Sequence, residues 1–456
     1  MKKTLFYFLS FMFLASCNQS SSSEAEVAKT IITGKLMNPV NDKFYISSGE
    51  SVNEIAVDEN GNFNDTLQLA EGFYGIRHAR ESGALYIAPG KNVNLSVDMK
   101  NFDETLKFDG ASAAANNYLA KKTIWSASNR PNSREFYGLD EAEFAKEVSA
   151  KKASYMELLE SSTDLPASFV ANEKQNIEYE NLAYYMSYKS AHSYFTKKED
   201  FEQPAAFAEK IAAIDYTDEK QYLTFPSYQR LVSNHFTELM GDNGEKTASF
   251  LEAFNTINSP VIKSGLAAAV SYYVKPDNEN ATALFSAIME NSTDEELKEK
   301  LTKKHELIQG LAKGMPSPEF DYQDIKGKNV ALKDLEGKNV YIDVWATWCG
   351  PCKAEIPHLK EMEKAHHGKN IEFVSISIDK QKDFEKWQNM VADKELKGVQ
   401  LFSDNDWKSE FVQEYAIEGI PRFILVDDHG KIVSADAPRP SQQKQLMALF
   451  EETGVN

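Results

Sequence analysis

Val340-Tyr341-Ile342-Asp343-Val344-Trp345-Ala346-Thr347-Trp348-Cys349-Gly350-Pro351-Cys352-Lys353 is the stretch on which the reading of this chain turns. Its first six residues form a near-continuous apolar run interrupted by one acid, Asp343, the pattern of a strand buried on both faces. Over 349–365 the spacing becomes helical, so the two cysteines stand at a strand-to-helix junction. At a helix N-terminus, unpaired N–H groups and the positive end of the helix dipole favour thiolate over thiol. Cys349 is therefore the expected exposed nucleophile, and Cys352, one turn on, is placed to resolve a mixed disulfide. Pro351 fits the first turn, where a missing N–H costs little.

Working outward, residues 330–332 read as a short strand, 371–378 as a second buried strand and 382–391 as a helix. Residues 422–426 read as a third strand, 431–434 as its hairpin partner and 441–451 as a closing helix. Strand, helix, strand, helix, hairpin and helix is the order of the thioredoxin fold. Gly419-Ile420-Pro421-Arg422 leads straight into the third strand, and a proline at such a position signals a cis bond in a turn. Two acids are candidates for moving the proton of Cys352: Asp343, just before the motif, and Glu355, three residues after it on roughly the same helix face. Asp343 could otherwise be a partly exposed strand acid, and Glu355 a solvated helix residue.

The chain has three cysteines in 456 residues. Lys2 and Lys3 precede an apolar run and then Ala15, Ser16 and Cys17, which together read as a secretory signal peptide. The run is far shorter than the roughly 20 residues a spanning helix needs. Leu14-Ala15-Ser16-Cys17 resembles the bacterial lipobox, which implies cleavage before Cys17, lipid on its sulfur and attachment to a membrane. Asn18-Gln19-Ser20-Ser21-Ser22-Ser23 then reads as a tether. With Cys17 used for lipid, Cys349 and Cys352 are left as a close pair suited to chemistry rather than stapling. The formal net charge of −19 argues against nucleic acid as a partner.

About three domains are expected from the length. Short strands with turn punctuation over 30–111 suggest a β-sandwich, and the helical period over 112–310 an all-α region. Within the latter, Tyr184, Tyr188, Ala191 and Phe195 form a stripe that reads as core, and Thr293-Asp294-Glu295-Glu296 as a capping box. A Gly/Pro stretch from Gly310 to Pro318 closes it. The expected architecture is thus a signal peptide and lipobox at 1–17, a tether at 18–29, a β-sandwich at 30–111, a helical region at 112–310 and an α/β thioredoxin domain at 311–456.

The segment from Val344 to Lys353 closely resembles the active-site strand and loop of thioredoxins. With Lys353-Ala354-Glu355-Ile356-Pro357 and Gly314-Met315-Pro316-Ser317-Pro318-Glu319-Phe320, it looks like the TlpA/ResA-like branch, whose members are exported, often membrane-tethered thiol–disulfide oxidoreductases. The resemblance covers about the last third of the chain. It implies a redox disulfide between Cys349 and Cys352, disulfide-containing client proteins, a membrane thiol electron donor and a place in the cell envelope facing the periplasm. It also implies that Ile420-Pro421 is the cis-proline loop and that Glu355 matches the family's active-site glutamate. Trp348, Gly350, Pro351, Ile420 and Pro421 are then the expected client contacts. Asp343 departs from many members of that branch and matches the buried acid of true thioredoxins, while Ser375 stands where a thioredoxin usually carries a lysine. Residues 30–310 resemble the N-terminal extensions of some TlpA-like lipoproteins.

No cofactor or metal is expected. Zinc would need two further ligands, and His358, His366 and His367 lie along one helix. Covalent haem would need a histidine where Lys353 stands. The rival functions are a binding lipoprotein whose cysteine pair is a redox sensor, and a peroxide reductase.

Overall fold

The structure is a computed structural model and describes residues 28–455 other than 50, 89, 199, 242 and 243. The expected signal peptide, Cys17 and nearly all of the tether lie outside the described residues, and residues 28 and 29 already belong to the first strand. No helix among the described residues is long and apolar enough to cross a membrane. The chain divides into two compact units: residues up to Ala212 with Leu223–Tyr228, and Ala213–Tyr222 with Gln229 onward.

The first unit begins with β1 (Ala28–Met37), β2 (Lys43–Ser48), β3 (Ser51–Ala56), β4 (Asn62–Leu69), β5 (Gly72–His78), β6 (Glu81–Ile87), β7 (Val93–Asp98) and β8 (Lys107–Asp109). They form two four-stranded sheets, in the orders β4-β1-β7-β8 and β3-β2-β5-β6. Alternation decides which side chains go inward. Val93, Leu95 and Val97 of β7 are buried while Asn94 faces out, and they join Ile32, Phe44, Ile76 and Leu85 from both sheets in one core.

Sheet edges leave unpaired N–H and C=O groups, and here two adjacent side chains cover both. Asn116, on the helix Ala113–Ser128, accepts from Tyr86 N–H at 2.6 Å and donates to Tyr86 C=O at 3.0 Å on edge strand β6. Asn117 does the same for Phe108 on edge strand β8, at 2.9 and 2.8 Å. Asn116 is fully buried and its amide also donates to Ser112 C=O. Asn116→Ala is expected to cost about 1–3 kcal/mol, because it strands buried backbone groups. A urea midpoint lowered without a change in slope is the check.

The long helix Ala167–Thr196 carries the tyrosine stripe. Tyr188 packs with Phe136, Phe144 and Phe207, and its hydroxyl donates to Leu139 C=O at 2.7 Å, so this part of the stripe is core. Lys122 and Glu173 are buried together, 2.6 Å apart.

In the second unit, helices including Pro260–Val270, Ala281–Asn291 and Glu295–Gln309 precede a sheet. The last of them opens one residue later than the capping-box pattern suggests. Asp294, not Thr293, is the cap, accepting from Leu297 N–H at 3.0 Å, because a carboxylate outcompetes a hydroxyl for the helix N-terminus.

The sheet comprises β9 (Asp321–Asp324), β10 (Asn329–Ala331), β11 (Asn339–Trp345), β12 (Ile371–Ser377), β13 (Val399–Phe402), β14 (Arg422–Val426) and β15 (Ile432–Ser434), in the order β10-β9-β13-β12-β11-β14-β15. Every residue of β11 is buried, as its unbroken apolar run requires. It pairs in parallel with β12 and antiparallel with β14. Strands β9 and β13 are additions to the sequence reading. Each is four residues long, too short for a period to show.

The helices ahead of the Gly/Pro stretch pack into this same unit. Lys275 pairs with Asp436 at 2.7 Å and Lys304 with Glu418 at 2.6 Å. Asp277 accepts from the N–H groups of Ala435 and Asp436 at 3.2 Å and from the Ser434 hydroxyl.

Candidate active site

The site lies past the C-terminal end of β11, where an open α/β sheet leaves a crevice. Thr347 turns the chain there. Its N–H and hydroxyl both donate to the fully buried Asp379 carboxylate at 2.8 Å, and Ser377 Oγ donates to the same group at 2.8 Å. Asp379 thus fixes the loop two residues ahead of Cys349. An acid directly after the second buried strand was the sequence signal that could have found it.

Cys349 is the N-cap of the helix Gly350–Ala365, and its sulfur accepts from Cys352 N–H at 3.1 Å. Cys349 and Cys352 form a disulfide with their Cα atoms 5.3 Å apart. Both are buried, so the exposure expected of Cys349 is not found: the disulfide and the Ile420 carbonyl cover its sulfur, and Trp348 is the exposed neighbour. The Ile420–Pro421 bond is cis. Cys349 Sγ lies 3.8 Å from the Ile420 carbonyl oxygen. Register explains the proximity: β14 runs antiparallel to β11 with Arg422 opposite Val344, which brings the loop ahead of Arg422 to the end of β11. Trp348 is half exposed beside Trp407, and Gly350 and Pro351 are exposed. Trp348, Ile420 and Pro421 thus stand on the loops that flank the sulfurs, and Gly350 and Pro351 on the first turn of the helix between them.

Asp343 and Glu355 are both buried under this surface. Burial, then the neighbouring Glu355 and Glu363, push the Asp343 carboxyl up to about 8. Its partner is Ser375, directly across on β12, and its Oδ1 is buried with no partner among the described residues. Glu355 differs: its Oε1 accepts from Ser441 Oγ at 2.8 Å and its Oε2 from Ser441 N–H at 3.0 Å. Glu363, which sequence reading passed over, is pushed up to about 7 by burial, then by Glu372 against the pull of Lys360 and Lys397. Among the described residues, no group of three or more His, Cys, Asp or Glu side chains is arranged to hold a metal ion.

A thioredoxin-type sheet, a cysteine pair at the head of its active helix and a cis-proline loop against the first sulfur define a domain of the thiol–disulfide oxidoreductase class. Comparison with known proteins places it further. Residues 312–447 match the Redoxin family. Over 120 residues the chain is 32% identical to the thiol-disulfide oxidoreductase ResA of Bacillus cereus, covering 26% of this chain and 66% of that protein, just under two thirds of its length. It is 28% identical over 127 residues to ResA of Bacillus subtilis, covering 27% of this chain and 67% of that one. The C-terminal domain is thus similar to the ResA thiol–disulfide oxidoreductases and to the Redoxin family. Among solved structures, a Bacteroides vulgatus chain assigned as a thiol-disulfide oxidoreductase shares 52% identity, covering 31% of this chain and 92% of its own, with a TM-score of 0.28.

Proposed function

We propose that this protein is an exported, lipid-anchored thiol–disulfide oxidoreductase that reduces disulfides of client proteins in the cell envelope. The observation that carries the reading is the placement of Cys349, capping its helix and facing the Ile420 carbonyl of the cis-proline loop. The Cys349 thiolate attacks one client sulfur and the client S–S bond breaks, leaving a mixed disulfide. Cys352 then gives up its proton, its sulfur attacks Cys349 Sγ, and the second client thiolate leaves. Two electrons pass to the client, and the Cys349–Cys352 disulfide remains until a membrane thiol donor reduces it.

Asp343 takes the Cys352 proton, since its Oδ1 is uncommitted while both Glu355 oxygens already accept from Ser441. Glu355 raises the proton affinity of Asp343 through its charge. Client backbone pairs with Ile420, and Trp348, Gly350 and Pro351 form the remaining contact surface. Similarity to the ResA thiol-disulfide oxidoreductases supports this reading over a one-time sensor or a peroxide reductase.

The test is the reduction potential of the Cys349/Cys352 pair, titrated against a dithiol buffer with Trp348 fluorescence as reporter. The Cys-Gly-Pro-Cys motif leads to an expected value near or below about −250 mV. A value above about −150 mV makes the protein an oxidant and overturns the direction.

A further inference from the structure

We propose that Glu363 is the outer end of a proton relay that reaches Cys352 through Asp343, with a small cavity between the two carboxyls as its bridge. The inference rests on the disulfide-reducing reading above.

Three observations carry it. The first is helical geometry. Cys352, Ile356, Leu359 and Glu363 recur at four, three and four residues along Gly350–Ala365, so they share the face laid over β11, where Asp343 sits. The second is the cavity, of about 10 Å3, lined among others by Asp343, Trp345, Leu359, Glu363, Ser375 and Gln400. That volume is at the lower limit for one water. Asp343 Oδ1, Trp345 Nε1 and Gln400 Oε1, from residues lining it, are buried with no hydrogen-bond partner among the described residues. One donor and two acceptors are what a single bridging water satisfies, accepting from the indole and donating to both oxygens. The third is close packing at the outer end. Gly398, at φ +63°, would place a Cβ 2.5 Å from the Phe373 carbonyl oxygen and 3.0 Å from Glu363 Oε1, so the Glu363 carboxyl lies against the bare backbone ahead of β13.

The charges around the pair suit transfer near neutral pH. Asp343 faces Glu355 and Glu363 from the helix, Ser375 from β12 and Tyr341 on its own strand. Glu363 faces Lys360 on its own helix, Lys397 ahead of β13 and Glu372 on β12. Glu363 is half-buried, while Lys397 is exposed, so the far end of the path reaches solvent. When Cys352 attacks Cys349, its proton passes to the Asp343 carboxylate. A proton then crosses the cavity to Glu363 and leaves to water, and the sequence reverses when the disulfide is reopened. No electrons move along this path. Glu363 acts through Asp343 rather than on a sulfur.

The experiment uses the full chain and follows reduction of the Cys349–Cys352 disulfide by dithiothreitol, corrected for its thiolate fraction, across pH 5 to 9. The parent is expected to titrate in two coupled steps. In Glu363→Gln a single step remains, displaced downward by at least about half a unit because a negative neighbour is gone, and the rate at pH 7 falls about tenfold. Glu363→Asp keeps two steps. A parent-like profile and rate in Glu363→Gln would overturn the proposal. Infrared spectroscopy of the unmutated protein is the second measurement, needed if Glu363→Gln does not fold. Two protonated-carboxyl bands lost over separate pH ranges support the pair, and a single loss refutes it. Neither measurement involves a client, so failure to reduce protein disulfides and failure of the relay are told apart.

Discussion

Serine in place of Cys349 is expected to abolish turnover of a protein disulfide, whereas serine in place of Cys352 accumulates a covalent adduct with the client. The asymmetry follows from position. Cys349 caps the helix and its sulfur takes the Cys352 N–H, so a thiolate there gains from both the hydrogen bond and the helix dipole. A hydroxyl at the same place does not ionise near neutral pH, and turnover falls by more than about 10³-fold. Cys352 enters only in the second step. Its replacement leaves attack by Cys349 intact and removes the sulfur that would release the client. A non-reducing gel of Cys352→Ser with a disulfide-bonded protein should show the adduct, and dithiothreitol should dissolve it. Undiminished turnover in either variant contradicts the mechanism.

Asp343→Asn is the second large effect, and it works in two directions. The Asp343 carboxyl titrates near 8 in the folded chain against 3.8 for an ordinary aspartate. A raised acid favours the folded state fully only below its unfolded value. That stability is lost progressively as pH climbs from about 4 to about 8, at roughly 1.4 kcal/mol per unit. Keeping this buried acid therefore costs the fold on the order of 3–5 kcal/mol at pH 8. The asparagine variant has no such loss. Its advantage in urea unfolding is expected to be small near pH 5 and to widen steadily toward pH 8. In the same variant Cys352 loses its proton acceptor, and release of a trapped client slows about 100-fold. A variant less stable than the parent at pH 8 would show that folding does not raise the proton affinity of the carboxyl.

Much of this was legible beforehand because the relevant physics is local. The buried run of β11, the cysteine pair at the helix head and the proline before β14 each announce themselves within a few residues. The alternating strands of the first unit are equally plain. What was not legible depends on partners far away in sequence. Asn116 and Asn117 look like ordinary helix residues until two sheet edges arrive beside them. Asp379 and Ser441 carry no motif, yet one anchors the loop before Cys349 and the other occupies both oxygens of Glu355.

The sequence alone determined the kind of chemistry, because thiolate reactivity is set by where a cysteine stands on its own helix. It also determined the order of elements in the last third, because hydrophobic period is a short-range property. Only the tertiary structure set Pro421, named beforehand by resemblance alone, against the sulfur and added Glu363 to the acids beneath it. Antiparallel register brings residue 421 to the end of β11, and helix packing on that strand closes Glu363 over Asp343. Burial and charge proximity, which exist only in the folded chain, then move those carboxyls into the neutral range.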